Sequence, residues 1–72
     1  MKTEFLAVYD YGMGGVWAVI SARSAEEVTR KYPDLQVVEG RPGWMTDKDY
    51  DGIMRTSRFD IDDAPSGWLA AL

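Results

Sequence analysis

The chain contains no cysteine and no histidine. The first absence removes disulfides and thiolate metal sites; the second removes the commonest general base and the commonest zinc ligand. Basic residues are also few: eight Lys and Arg stand against twelve Asp and Glu, a net charge of −4. They are mostly scattered singly between Lys2 and Arg58, and only Arg30 and Lys31 adjoin. Phosphate neutralisation needs clustered cations, so no nucleic acid is expected as a partner. No apolar run approaches the ~20 residues of a membrane span. The longest near the start, Phe5 to Tyr9, is too short even for the apolar region of a signal peptide. A cytoplasmic protein without a membrane partner is the expectation.

The chain is also short. Seventy-two residues make a single domain, 1–72. A chain of this size buries only about 60% of the surface its unfolded form exposes. Small domains in that position lean on disulfides, a metal or a partner chain. With cysteine missing, a partner chain is the support most easily supplied. The apolar fraction, 46%, together with three Trp, four Tyr and two Phe, is enough for a packed core, which excludes a disordered chain.

What is present reads as short strands and helices. Phe5-Leu6-Ala7-Val8-Tyr9 and Val16-Trp17-Ala18-Val19-Ile20 are five-residue runs rich in β-branched and aromatic types, hence strands. Between them lies the glycine cluster of Tyr9 to Trp17, YDYGMGGVW, read as the loop of an antiparallel hairpin. Ser24 then opens a helix, with Glu27 reaching back to complete a capping box and Ala25, Val28 and Tyr32 on one face. Pro33 ends it, and Leu35-Gln36-Val37-Val38 follows as a third strand, parallel to the second across the helix. Pro42-Gly43 suits a type II bend. Thr46 caps a second helix whose core face is Tyr50, Ile53 and Met54, with Met45 stapled against Tyr50. Ser57 to Asp62 alternates as a fourth, edge strand, and residues 63–72 form a flexible or docking tail. The class is α+β in ββαβαβ order, with both helices expected on one face of the sheet.

The hairpin strands do not alternate apolar with polar. Phe5, Ala7 and Tyr9 oppose Leu6 and Val8; Val16, Ala18 and Ile20 oppose Trp17 and Val19. Both faces therefore require cover. If the helices cover one, the face bearing Leu6, Val8, Trp17 and Val19 is left for the Trp68-Leu69-Leu72 tail, a second copy, or another protein.

Candidate chemistry is sparse. A phosphate loop needs its glycines directly before a helix, whereas Gly12, Gly14 and Gly15 lead into a strand, with no Lys-Ser/Thr following. Asp47, Asp49, Asp51 and Gly52 match positions one, three, five and six of a calcium loop, but Arg58 occupies the place of the bidentate glutamate. The plainer reading is the acidic first turn of a helix. Asp60 and Asp62 share a face if their segment is a strand, as a carboxylate pair or as charges guarding an edge. Ser21, Ser24, Ser57 and Ser66 have no base nearby in sequence, and Lys2, Lys31 and Lys48 stand in polar settings. Tyr11, Trp17, Trp44 and Trp68 divide between core filling and recognition, since Trp and Tyr dominate binding hot spots.

In YDYGMGGVWAVISARSAEEV and KYPDLQVVEGRPGWMT the chain resembles a family of small actinobacterial proteins. These carry a Y-D-Y-G-x-G-G-x-W hairpin, an S-A-E-E helix start, a Y-P-x-L turn and a P-x-W-M-T segment. The likeness covers roughly residues 5 to 68. The family brings no established activity, cofactor or catalytic residue, so the resemblance implies only a bacterial, cytoplasmic setting.

The functional expectation is a non-catalytic module that binds another protein or pairs with itself, needing no cofactor, through Tyr11, Trp17, Val19, Trp44 and Trp68. The alternative is a cation-binding protein using Asp47, Asp49 and Asp51. A second alternative is a ferredoxin-like enzyme with a subunit-interface pocket near Tyr9, Asp10 and Arg23.

Overall fold

The computed structural model describes residues 1–12 and 14–72; Met13, in the glycine loop, lies outside the described residues. The elements are strands β1 (Thr3–Asp10) and β2 (Gly15–Ala22), helix α1 (Ala25–Lys31), strand β3 (Gln36–Val38), helix α2 (Asp47–Thr56), strand β4 (Arg58–Asp60) and a 3-10 turn at Gly67–Ala71. They build one α+β domain on a four-stranded mixed sheet. None of the described helices is long and apolar enough to cross a membrane.

β1 and β2 form an antiparallel hairpin paired along their full length, from Thr3↔Ala22 to Asp10↔Gly15. Its loop is closed by the Tyr11 amide donating to the Gly14 carbonyl at 3.3 Å, while the Gly12 amide donates to Asp10 Oδ1 at 2.8 Å. Gly12, at φ +90°, takes a conformation closed to residues with a side chain. In space the strands stand in the order β3-β1-β2-β4. This corrects the expected neighbour pair of β2 and β3. β3 lies antiparallel beside β1, and the adjacent parallel pair is β2 with β4. The crossover through α1 passes over β1, because the strand with two apolar faces is best hidden in the middle of the sheet. Both outer strands are only three residues long, which limits exposed edge.

The expectation of both helices on one face is also corrected. Val28 of α1 and the C-cap residue Tyr32 join Ala7, Ala18, Ile20 and Ala22 on one side. On the other, Tyr50, Ile53 and Met54 of α2 pack with Leu6, Val19 and Met45. A two-sided apolar hairpin in so small a chain needs one helix per face. Leu69 of the terminal 3-10 turn is buried in the α1 side, so the tail docks.

Capping sets the helix ends. The Glu27 amide donates to Ser24 Oγ at 3.1 Å, but the Glu27 carboxylate reaches one residue further back than expected, to the Arg23 amide at 2.8 Å. In α2 the box is reciprocal: the Asp49 amide donates to Thr46 Oγ1 and the Thr46 amide to Asp49 Oδ2. The bend expected at Pro42-Gly43 starts one residue later, closed by the Met45 amide on the Pro42 carbonyl at 3.0 Å.

Candidate interaction surface

On the α2 side, cover is complete over Leu6 and Val19 and stops short of the hairpin's loop end. Val19, named from sequence as an interaction residue, has no exposed surface, and Leu6 retains only 7%. Both are removed from any recognition role by the helix that packs on them. Beyond them the cross-strand pair Val8↔Trp17 is only half-buried. The Pro42–Met45 turn reaches across this end. Met45 is buried and anchors the turn, which leaves its neighbour Trp44 pointing outward, 61% exposed. Its ring meets Trp17 edge to face, with centroids 5.4 Å apart and planes at 72°. Aromatic pairs favour that arrangement because ring edge and ring face carry opposite partial charge.

The two tryptophans, with Val8, Asp10, Gly15 and Gln36, line an open cleft of about 330 Å³. Gly15 is required there for space. A Cβ at this position would stand 2.7 Å from Val8 Cγ2 and 3.7 Å from Trp17 Nε1. Gly15 and Gln36 were not foreseen as parts of a site. The signal lay in strand parity: Gly15 is two residues from Trp17 and so shares its face.

The remaining aromatics lie elsewhere. Tyr11 is 55% exposed but stacks on Tyr9, centroids 6.4 Å apart, and Tyr9 belongs to the α1 side. Tyr11 and Trp44 therefore lie against opposite faces of the hairpin, because their partners Tyr9 of β1 and Trp17 of β2 face opposite ways in this register. Trp68 is half-buried against the α1-side core, edge to face with Phe59 at 6.1 Å. Its indole donates to Ser57 Oγ at 3.4 Å. Within one chain Tyr9, Asp10 and Arg23 are not brought together: Tyr9 and Asp10 pair with Val16 and Gly15 at the loop end, whereas Arg23 follows Ala22, which pairs with Thr3 at the opposite end.

The three aspartates proposed for calcium occupy the start of α2 and have separate partners. Asp47 meets Arg41 at 2.6 Å, Asp49 closes the capping box, and Asp51 meets Arg55 at 3.1 Å. Helical spacing sets Asp49 on the opposite side of α2 from Asp47 and Asp51, so the three do not ring one point. Among the described residues no three carboxylates gather as metal ligands would.

Asp60 and Asp62 belong to a charged network joining the N-terminus, the start of α1 and the end of β4. Lys2 Nζ donates to Asp60 at 2.8 Å and to Asp62 at 3.0 Å; Arg23 grips Asp62 through both terminal nitrogens, at 3.1 and 2.9 Å, and donates to Glu27 at 3.0 Å. The Arg23 guanidinium, with Lys2, holds the Asp62 carboxyl down at about 2. Lys2, helped by the Asp62 amide, lowers Asp60, and the Arg23 amide lowers Glu27. In return, Lys2 and Arg23 are raised by these carboxylates. Every acid here is stabilised as the anion and occupied by a cation, which suits a clamp and not a proton-transfer pair.

No family model matches the chain, and no curated protein or solved structure matches it.

Proposed function

We propose that this domain is a non-catalytic binding module whose recognition surface is the Trp17–Trp44 ledge, and that its ligand is another protein. One observation carries the reading. The chain covers both faces of its own sheet with helices and a docked tail, yet leaves Trp44 61% exposed against a half-exposed Trp17. A large aromatic held in place outside the core is the kind of side chain that dominates binding energy at interfaces. Val8 supplies an apolar floor, while Asp10 and Gln36 supply a polar rim. The net charge of −4 and Asp10 at the rim favour a partner with a basic surface, with faster encounter at low salt. The likeness of the hairpin and P-x-W-M-T segments to an actinobacterial family supports a bacterial, cytoplasmic setting.

The test is affinity capture from the native host with the wild-type chain and with Trp44→Ala. The expected result is a protein recovered by the first and lost from the second, with the variant still melting as a cooperatively folded domain. Recovery of the same proteins by both forms, or of none by either, overturns the reading.

A further inference from the structure

The sheet contains a gap in one lane. β1 is paired with β2 down to Thr3↔Ala22, but its pairing with β3 stops at Leu6↔Val38. Beyond Val38 the chain turns away through Gly40, at φ +72°. Thr3 to Phe5 thus keep a strand neighbour on one side only. The vacated lane is a groove of about 540 Å³, larger than the tryptophan cleft. Ala25 of α1 and Tyr50 of α2 stand on its two sides, and its apolar lining includes Phe5 and Val38. Glu39 lies along it and is exposed, whereas the Glu4 carboxylate is turned across the sheet to Arg58 at 3.3 Å. The basic residue that lines it, Arg41, is drawn aside, paired with Asp47 at 2.6 Å and lying over the Tyr50 ring at 4.9 Å.

We infer that this groove accepts an extended peptide segment bearing apolar residues and a Lys or Arg, laid beside Thr3 to Phe5 in the lane that β3 leaves. Strand addition to an open sheet edge takes its affinity from main-chain hydrogen bonds and its specificity from pockets for alternate side chains. The lane supplies the first through the N–H and C=O of Glu4, which face away from β2, and Phe5 and Val38 supply the second. Glu39, on a chain of net charge −4, selects a cationic segment and rejects an acidic one. This site is separate from the tryptophan ledge, and either can fail without the other.

The test is titration of the full ¹⁵N-labelled chain with two capped peptides, Thr-Val-Lys-Val-Thr and Thr-Val-Glu-Val-Thr. The lysine peptide should give saturable amide shifts confined to residues 3–6 and 37–41, and bind roughly tenfold more tightly than its acidic counterpart. High salt and Glu39→Gln should each narrow that preference, and Trp44→Ala should leave it unchanged. Shifts at the tryptophan ledge instead, equal affinity for the two peptides, or no saturation would overturn the assignment. So would a dimer of the free chain in which the Glu4 amide, which faces the lane, is already protected, because a second copy would then fill it.

Discussion

At Gly15 the missing side chain matters more than any present one nearby. Its backbone is ordinary strand; what it provides is room beneath Val8 and Trp17. Gly15→Ala should destabilise the domain by roughly 1–3 kcal/mol through overpacking, read from urea unfolding. Adding Val8→Ala should recover much of the loss by removing the methyl the new Cβ meets. The charged residues give a pH signature. The Asp62 carboxyl sits at about 2 in the fold against an ordinary 3.8, and Asp60 and Glu27 are lowered as well. Groups lowered on folding stabilise the native state above their unfolded values and lose that contribution as protons return. Stability should therefore hold near neutrality and fall as pH drops from about 4 toward 2. Asp62→Asn should flatten that acid limb in a series of unfolding curves; an unchanged slope would show the network to be passive. At the alkaline end Lys2 and Tyr32 are raised above 10.5 and 10.0, the first by its carboxylate partners and the second by burial. Their contributions are complete below those values and lost above them.

Among the elements, α2 carries the most consequence, because it covers the face that would otherwise be open. Its start rests on the Thr46–Asp49 box, and Thr46→Ala should cost about 0.5–2 kcal/mol. Gly52 lies inside the same helix with open space around it, so a methyl there meets nothing within 4 Å. Gly52→Ala should raise stability by about 1 kcal/mol, the helix-propensity difference. Thermal melts of the two variants should move in opposite directions. Sequence pattern disclosed this helix well: the Thr46 cap and the Tyr50, Ile53 and Met54 face all recur in the structure. It disclosed the two-sided hairpin equally well, since unbroken apolar runs need no tertiary knowledge to notice. What stayed hidden was placement. Strand order depends on which faces need covering across the whole domain, so β3 beside β1 could not be inferred from local spacing. The same holds for α1 and α2 on opposite faces, although the double-faced hairpin already demanded two covers. Of the ledge, Trp17 and Trp44 were visible as aromatics, but their meeting depends on a turn that begins at Pro42 and on buried Met45.

Across the described residues, the apolar side chains at the centre of the sheet are covered by the chain's own helices and tail. Ala7, Ala18, Val19, Ile20 and Val28 have no exposed surface, and Leu69 seals the end of one face. That self-cover makes the exposed Trp44 informative: it projects from a well-anchored turn, and its removal should cost stability no more than about 1.5 kcal/mol, the worth of its edge-to-face contact with Trp17. Binding and folding should therefore separate cleanly at this residue, whereas changes at Leu6 or Val19 would damage both. The most direct measurement is the dissociation constant of the captured partner for the wild-type chain and for Trp44→Ala, with melting temperatures taken on the same samples. A loss of at least about 2 kcal/mol, roughly thirtyfold in affinity, in a variant that still melts as a cooperatively folded domain is the predicted result. Equal affinity for the two forms would contradict the account.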